Sequence, residues 1–276
     1  MELRVAHHPE RALYERMEAN LLASWERYAT GSPDAHVERT QGAAVAVFPS
    51  GPERGVYNNA VLAREVTRAG DAIDAIAALY SEAGVERYAV WAHESDRVGP
   101  AELERRGYCV DTWTRAMAMS LDSVRVLHSE IDVATAGWRD YLRMLTRLGV
   151  PDGLLAGVDA RGFDVRVASI DGEEVATALA YDHDGDCGIY NVGTLPHARR
   201  RGLATALSAL LVNEAAERGC KTASLQATAM AERIYAAVGF RDLGRFIEYV
   251  PRAVTPINFV SGDGTEETVA SGQGCY

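Results

Sequence analysis

The stretch Leu195-Pro196-His197-Ala198-Arg199-Arg200-Arg201-Gly202-Leu203-Ala204-Thr205-Ala206-Leu207 decides how this chain is read, because it joins an extended apolar segment to a helix through a basic, glycine-containing turn. The residues up to Pro196 end a strand. Leu203, Leu207, Leu210 and Leu211 then return at helical spacing as far as Arg218, where Gly219 supplies the stop. The turn therefore opens a helix. The first N–H groups of a helix have no partner within it and lie at the positive end of its dipole, and Gly202 lets a ligand come close to the backbone. This is an anion seat that suits a pyrophosphate.

Two ordered patterns extend the reading. Arg199-Arg200-Arg201-Gly202-Leu203-Ala204 fits Q/R-x-x-G-x-G/A, and Ala231-Glu232-Arg233-Ile234-Tyr235-Ala236-Ala237-Val238-Gly239-Phe240 fits A-x-x-x-Y-x-x-x-G-F. In this order and at this distance they resemble the motifs of the GNAT acyltransferase superfamily, over roughly residues 163–250. The resemblance implies an α/β (α+β) fold with a mixed, mostly antiparallel twisted sheet flanked by helices. It also implies acetyl-coenzyme A as the acyl donor, held by Thr194, Leu195, Arg199, Arg200, Arg201, Gly202, Leu203, Ala204 and Thr205. An isolated arginine triple reads as a solvated charge run, and only the glycine spacing and Tyr235 turn it into a cofactor loop. By the same resemblance, Thr194 and Leu195 offer backbone contacts to the pantetheine arm and the acyl carbonyl. Tyr235 is the implied catalytic residue, since a phenol with a pKa near 10 can protonate a departing thiolate of comparable basicity. Its other reading is a core aromatic on an amphipathic helix. The pattern departs from the family at Thr228, where many relatives place an asparagine.

An internal repeat organises the chain. Gly55-Val56-Tyr57-Asn58-Asn59-Ala60-Val61-Leu62 returns as Gly188-Ile189-Tyr190-Asn191-Val192-Gly193-Thr194-Leu195, with four identities in eight at an offset of 133 residues. A period this long predicts duplicated domains rather than a solenoid. We expect a degenerate GNAT-like domain over 1–120, a linker over 121–132, an acetyl-coenzyme A-binding domain over 133–252 and a tail over 253–276. In the first unit Ala63-Arg64-Glu65-Val66-Thr67-Arg68-Ala69-Gly70-Asp71 replaces the arginine turn, and Leu103 stands where the second has Tyr235. The first unit is left to pack against the second, to wall the substrate cleft, or to form a homodimer.

Periodicity supplies the elements. Leu13, Met17, Leu21 and Trp25 predict a helix over 12–28. Strands are expected over 43–48, 55–62 and 88–91, with a helix over 72–83 between the last two. In the second unit Val165 to Ile170 and Val175 to Tyr181 form a hairpin through Asp171-Gly172, and the turn Asp182-His183-Asp184-Gly185-Asp186 leads to the strand Cys187 to Leu195.

Composition bounds the function. The 276 residues, 47% hydrophobic, are enough to bury one large or two small cores. A net charge of −11 disfavours nucleic acid and suits a cationic small-molecule amine. No apolar run reaches the length of a membrane span and the N-terminus lacks an apolar signal core, so we expect a cytoplasmic protein without a membrane partner. Cys109, Cys187, Cys220 and Cys275 are widely spaced, which argues against a zinc site or a disulfide framework. Asp182, Asp184 and Asp186 have calcium-loop spacing but Gly193 stands where the bidentate glutamate belongs, so no metal is expected. Glu174, Asp182, His183 and His197 are open as general bases. The readings left standing are direct acetyl transfer to a small-molecule amine, transfer to a protein or peptide amine, and a non-catalytic acyl-coenzyme A sensor.

Overall fold

A computed structural model describes residues 9–51, 57–122, 131–150, 153 and 155–252. Helix α1 (Pro9–Ala29) leads into β1 (His36–Thr40), β2 (Ala43–Val47), β3 (Asn59–Leu62), α2 (Ala69–Glu82), β4 (Ala89–His93), α3 (Val98–Arg105) and β5 (Tyr108–Ser120). The second half runs β6 (Asp132–Ala136), α4 (Trp138–Arg147), β7 (Phe163–Ile170), β8 (Glu173–His183), β9 (Asp186–Thr194), α5 (Leu203–Glu217), β10 (Thr222–Ala227), α6 (Glu232–Val238) and β11 (Arg241–Pro251). The run α2-β4-α3-β5 thus returns as α5-β10-α6-β11. Most of the proposed linker and the whole tail lie outside the described residues, as does the start of the strand read from Gly55.

All eleven strands form one mixed, mostly antiparallel sheet in the order β1-β2-β3-β4-β11-β5-β10-β9-β8-β7-β6. The order holds an exchange. Strand β5, the last of the first half, pairs antiparallel with β10 from Thr222↔Ser120 to Ala227↔Arg115. Strand β11, the last of the second half, pairs antiparallel with β4 from Phe246↔His93 to Tyr249↔Val90. Each half therefore completes the sheet of the other.

Successive strand residues point to opposite faces, so the uninterrupted apolar run of β2 signals burial on both. Ala43, Val45 and Val47 pack with Ile73, Ile76 and Tyr80 of α2. Ala44 and Ala46 belong to the core on the α1 face, where Trp25 meets Trp91 edge-on at 5.9 Å. Helix α1 also reaches the second half. Asn20, fully buried, donates from Nδ2 to the carbonyls of Tyr181 (3.0 Å) and Asp186 (2.9 Å) and accepts from the Tyr190 hydroxyl (2.6 Å). This close approach explains Gly188 of the repeat, because a Cβ there would run into the Asn20 and Tyr190 side chains.

The turn expected over Asp182–Asp186 is shorter than its sequence suggests. Strand β8 continues to His183 and β9 starts at Asp186, so only Asp184 and Gly185 form the connection, with φ of 46° and 77°. Positive φ at both central residues makes a primed hairpin turn, whose twist matches the strands it joins. Asp171 and Gly172 make the same turn, at 50° and 80°.

Candidate acyl-donor site

A fork in the sheet makes the site. Strands β9 and β10 run parallel and pair at Thr222↔Asp186, Ala223↔Cys187 and Ser224↔Gly188. Beyond Gly188, β9 continues to Thr194 with no partner in β10. A bulge opposite β8, between Thr177↔Gly193 and Leu179↔Tyr190, redirects β9 at this level. Asn191 sits in the bulge with φ of 49°, and its Nδ2 donates to the Tyr141 hydroxyl of α4 at 2.6 Å. The base of the fork is tied by Asp186, which accepts from Thr222 Oγ1 and Ser224 Oγ, both at 2.6 Å. Burial pushes its carboxyl upward despite those two donors. The sequence reading left Asp186 in a turn and missed this role. In the first half the equivalent strands stay closed, pairing Asn59↔Ala89, Ala60↔Val90 and Val61↔Trp91, to within one residue of the end of β3.

The basic turn lies at the open end of the fork. Thr194 and Leu195 are buried, and Pro196–Ala198 form a single helical turn closed by Ala198 N–H to the Leu195 carbonyl at 2.9 Å. Arg199 Nε donates back to the Thr194 carbonyl at 3.3 Å, and Arg200 and Gly202 take φ of 60° and 81°. The first backbone bond of α5 runs from Ala206 N–H to the Gly202 carbonyl at 3.0 Å, so the amides of Leu203, Ala204 and Thr205 precede it and point out of the helix. Gly202 is required by its left-handed φ rather than by crowding, because a Cβ there would meet nothing within 4 Å. Arg199, Arg200 and Arg201 are exposed, and no ion pair takes them up among the described residues. Three cations thus surround a helix N-terminus in an acidic chain, which concentrates positive potential on the turn.

Tyr235 lies on α6 and is 1% exposed, with its ring edge-on to Phe240 at 6.0 Å. Phe240 N–H closes on the Tyr235 carbonyl at 3.0 Å, after Gly239 ends the helix. Leu103, which the sequence repeat sets against Tyr235, is likewise fully buried.

Residues 161–242 match the family model described as an acetyltransferase (GNAT) domain. This segment is a GNAT acetyltransferase domain. Solved structures repeat the fold over most of the chain. A GCN5-related N-acetyltransferase from Kribbella flavida covers 88% of this chain and 96% of its own, with a TM-score of 0.69 at 17% identity. One from Sphaerobacter thermophilus covers 84% and 90%, with a TM-score of 0.58 at 18% identity. A GCN5-related N-acetyltransferase-like protein from Streptococcus suis covers 87% and 98%, with a TM-score of 0.55 at 17% identity. No curated protein matches the chain in sequence. The GNAT domain makes the chain an acyltransferase, in a family whose acyl donor is acetyl-coenzyme A.

Around the GNAT fork the structure accounts for the remaining candidates. Glu174 pairs with Arg143 at 2.7 Å, and His197 Nε2 lies 3.4 Å from Glu173. His183 Nε2 is 3.6 Å from Asp184. Asp182 takes two bonds from Arg218, at 2.7 and 2.9 Å. Burial raises the Asp182 carboxyl, but the guanidinium outweighs it and the net pKa falls below the ordinary range, which makes a weak base. Burial pushes the Cys187 thiol well up and Cys220 to about 11, so neither supplies a thiolate nucleophile. Thr228, where the pattern departs from the family, and Gln226, which the sequence did not single out, stand at the end of β10. Gln226 Nε2 and Thr228 Oγ1 are buried without hydrogen-bond partners. Among the described residues no three His, Cys, Asp or Glu side chains group to hold a metal ion, and no helix is long and apolar enough to cross a membrane.

Proposed function

We propose that the chain transfers an acetyl group from acetyl-coenzyme A directly to the primary amine of a small molecule. The observation that carries this reading is the unpaired fork between β9 and β10, which ends on the left-handed turn at Gly202. The pantetheine arm lies along the open edge of Ile189–Thr194, which offers it the hydrogen bonds of a missing strand. The pyrophosphate rests on the amides of Leu203, Ala204 and Thr205, with Arg199, Arg200 and Arg201 neutralising its charge. The deprotonated amine attacks the thioester carbonyl, and backbone N–H groups near Thr194 and Leu195 stabilise the oxyanion. The attack forms the C–N bond, and collapse of the oxyanion then breaks the C–S bond. The leaving thiolate takes its proton from Tyr235, and the proton lost by the nitrogen passes to solvent, from which the phenolate is reprotonated. Residues 133–252 carry this chemistry in our reading, and residues 1–120 are its degenerate repeat. Support for degeneracy comes from the closed β3–β4 pair, the absent arginine turn and Leu103.

Thiol release from acetyl-coenzyme A across a panel of amines tests the proposal. A small amine is expected to drive release and to gain the acetyl group by mass. Tyr235→Phe should then lower turnover by about 100-fold or more, the range of general acid catalysis, with donor affinity within about twofold of the parent. Unchanged turnover removes Tyr235 from the reaction. Donor binding with no release across the panel would leave a sensor.

A further inference from the structure

The first half lacks the arginine turn, yet it holds a cleft at the matching end of its own parallel strands. The cleft lies between the first turns of α1 and the segment Ala63–Glu65 after β3, with Ser95 beyond β4 on its wall, and has a volume of about 630 Å³. That is the size of a small-molecule site. It shares no lining residue with the turn Thr194–Thr205.

Its charges are unevenly matched. Four glutamates face two arginines, and both arginines are engaged. Arg11 pairs with Glu15 at 2.9 Å and Glu65 at 3.4 Å. Arg64 lies over the Tyr14 ring at 4.8 Å and donates to Ser95 Oγ at 3.2 Å. Glu18 enters no ion pair among the described residues. The Tyr14 side chain is 2% exposed and held edge-on to His93 at 4.9 Å, so it cannot swing out to water. Neither its Oη nor Glu18 Oε1 makes a hydrogen bond of full geometry. The two face each other one helical turn apart and shift each other's ionisation by charge and by a hydrogen-bonding contact that falls short of that geometry. Burial, then the charge of Glu15, pushes the Glu18 carboxyl up to about 7. Buried polar groups are paired in about nine cases in ten or more, so two orphans on one cleft wall mark a place for a donor. An ammonium group supplies three N–H donors and the missing positive charge, and the carboxylate and hydroxyl can both accept them.

We propose that this cleft binds a small organic ammonium ion, with its nitrogen held between the Glu18 carboxylate and the Tyr14 hydroxyl. The ion is either the acceptor of the transfer reaction or a separate effector, and both carry the same amine chemistry.

Calorimetric titration of the full chain, without acetyl-coenzyme A, tests this independently of the acyl-donor site. The probes are tyramine and butylamine against their neutral counterparts tyrosol and butanol. Both amines should bind and both alcohols should bind at least about tenfold more weakly. Glu18→Gln should weaken the amines by about tenfold or more, and Tyr14→Phe by about threefold. The melting temperature of Tyr14→Phe should not fall, because it keeps the ring and removes an orphaned hydroxyl, and Glu18→Gln keeps the shape while removing the buried charge. Equal binding of amines and alcohols by the parent overturns the proposal whether or not the variants fold, as does no amine binding at millimolar concentration. Undiminished amine affinity in folded Glu18→Gln overturns it too. With acetyl-coenzyme A added, acetylation of the bound amine identifies an acceptor, and a changed rate on another amine without its own consumption identifies an effector.

Discussion

Replacing Gly202 with alanine separates the conformational role of the turn from its role as an anion seat. Gly202 has φ of 81° and ψ of 2°, a left-handed conformation that costs an L-residue about 1–2 kcal/mol. The added Cβ would meet nothing within 4 Å, so no steric term joins that cost. Unfolding free energy should therefore fall by about 1–2 kcal/mol, or about 2–8 °C in melting temperature for a chain of this size. The open space above the turn is where the pyrophosphate is expected to rest. Losing one charged hydrogen bond there costs about 1.5–3 kcal/mol, a factor of about 10–100 in donor affinity. Gly84 is the matched control, with φ of 67° and again nothing within 4 Å of an added Cβ, but it follows α2 in the first half. Gly84→Ala should lose the same stability and leave donor binding unchanged. Titration with acetyl-coenzyme A and thermal melts of both variants make the comparison. Parent-like donor affinity in Gly202→Ala, or an equal loss in Gly84→Ala, would refute the pyrophosphate seat.

Three further outcomes follow from the fold. Asp186→Ala leaves the buried Thr222 and Ser224 hydroxyls unpaired, at about 1–3 kcal/mol each, and a loss below about 1 kcal/mol in urea unfolding would contradict the clamp at the base of the fork. Asp182 has its folded pKa lowered, so its contribution is present above the unfolded value near 4 and is lost as pH falls through the folded value. Arg218→Gln should shrink the stability difference between pH 6 and pH 3, and an unchanged difference argues against that pair. Residues 131–252 expressed alone should not fold, because β10 loses its β5 neighbour and α1 no longer covers Asp186. A cooperative melt of that segment by circular dichroism would show otherwise.

What the sequence determined by itself is local. Leucine spacing and Gly219 mark α5, and the spacing of Arg199, Gly202 and Ala204 marks the turn, because helix periodicity and left-handed glycine are properties of a few neighbouring residues. The repeat foretold the recurrence of helix, strand, helix and strand for the same reason. Asn191 was visible in the strand, but its positive φ depends on the bulge opposite β8 and on Tyr141, which no nearby residue announces. Asp186 looked like one more turn aspartate, since its partners Thr222 and Ser224 lie 36 and 38 residues away. Tertiary structure alone decided the exchange of last strands. β5 and β11 hold equivalent places in the two halves, and either offers an antiparallel edge to β10. The choice depends on contacts as distant as Asn20 to Asp186, 166 residues apart, that exist only once the chain has closed on itself.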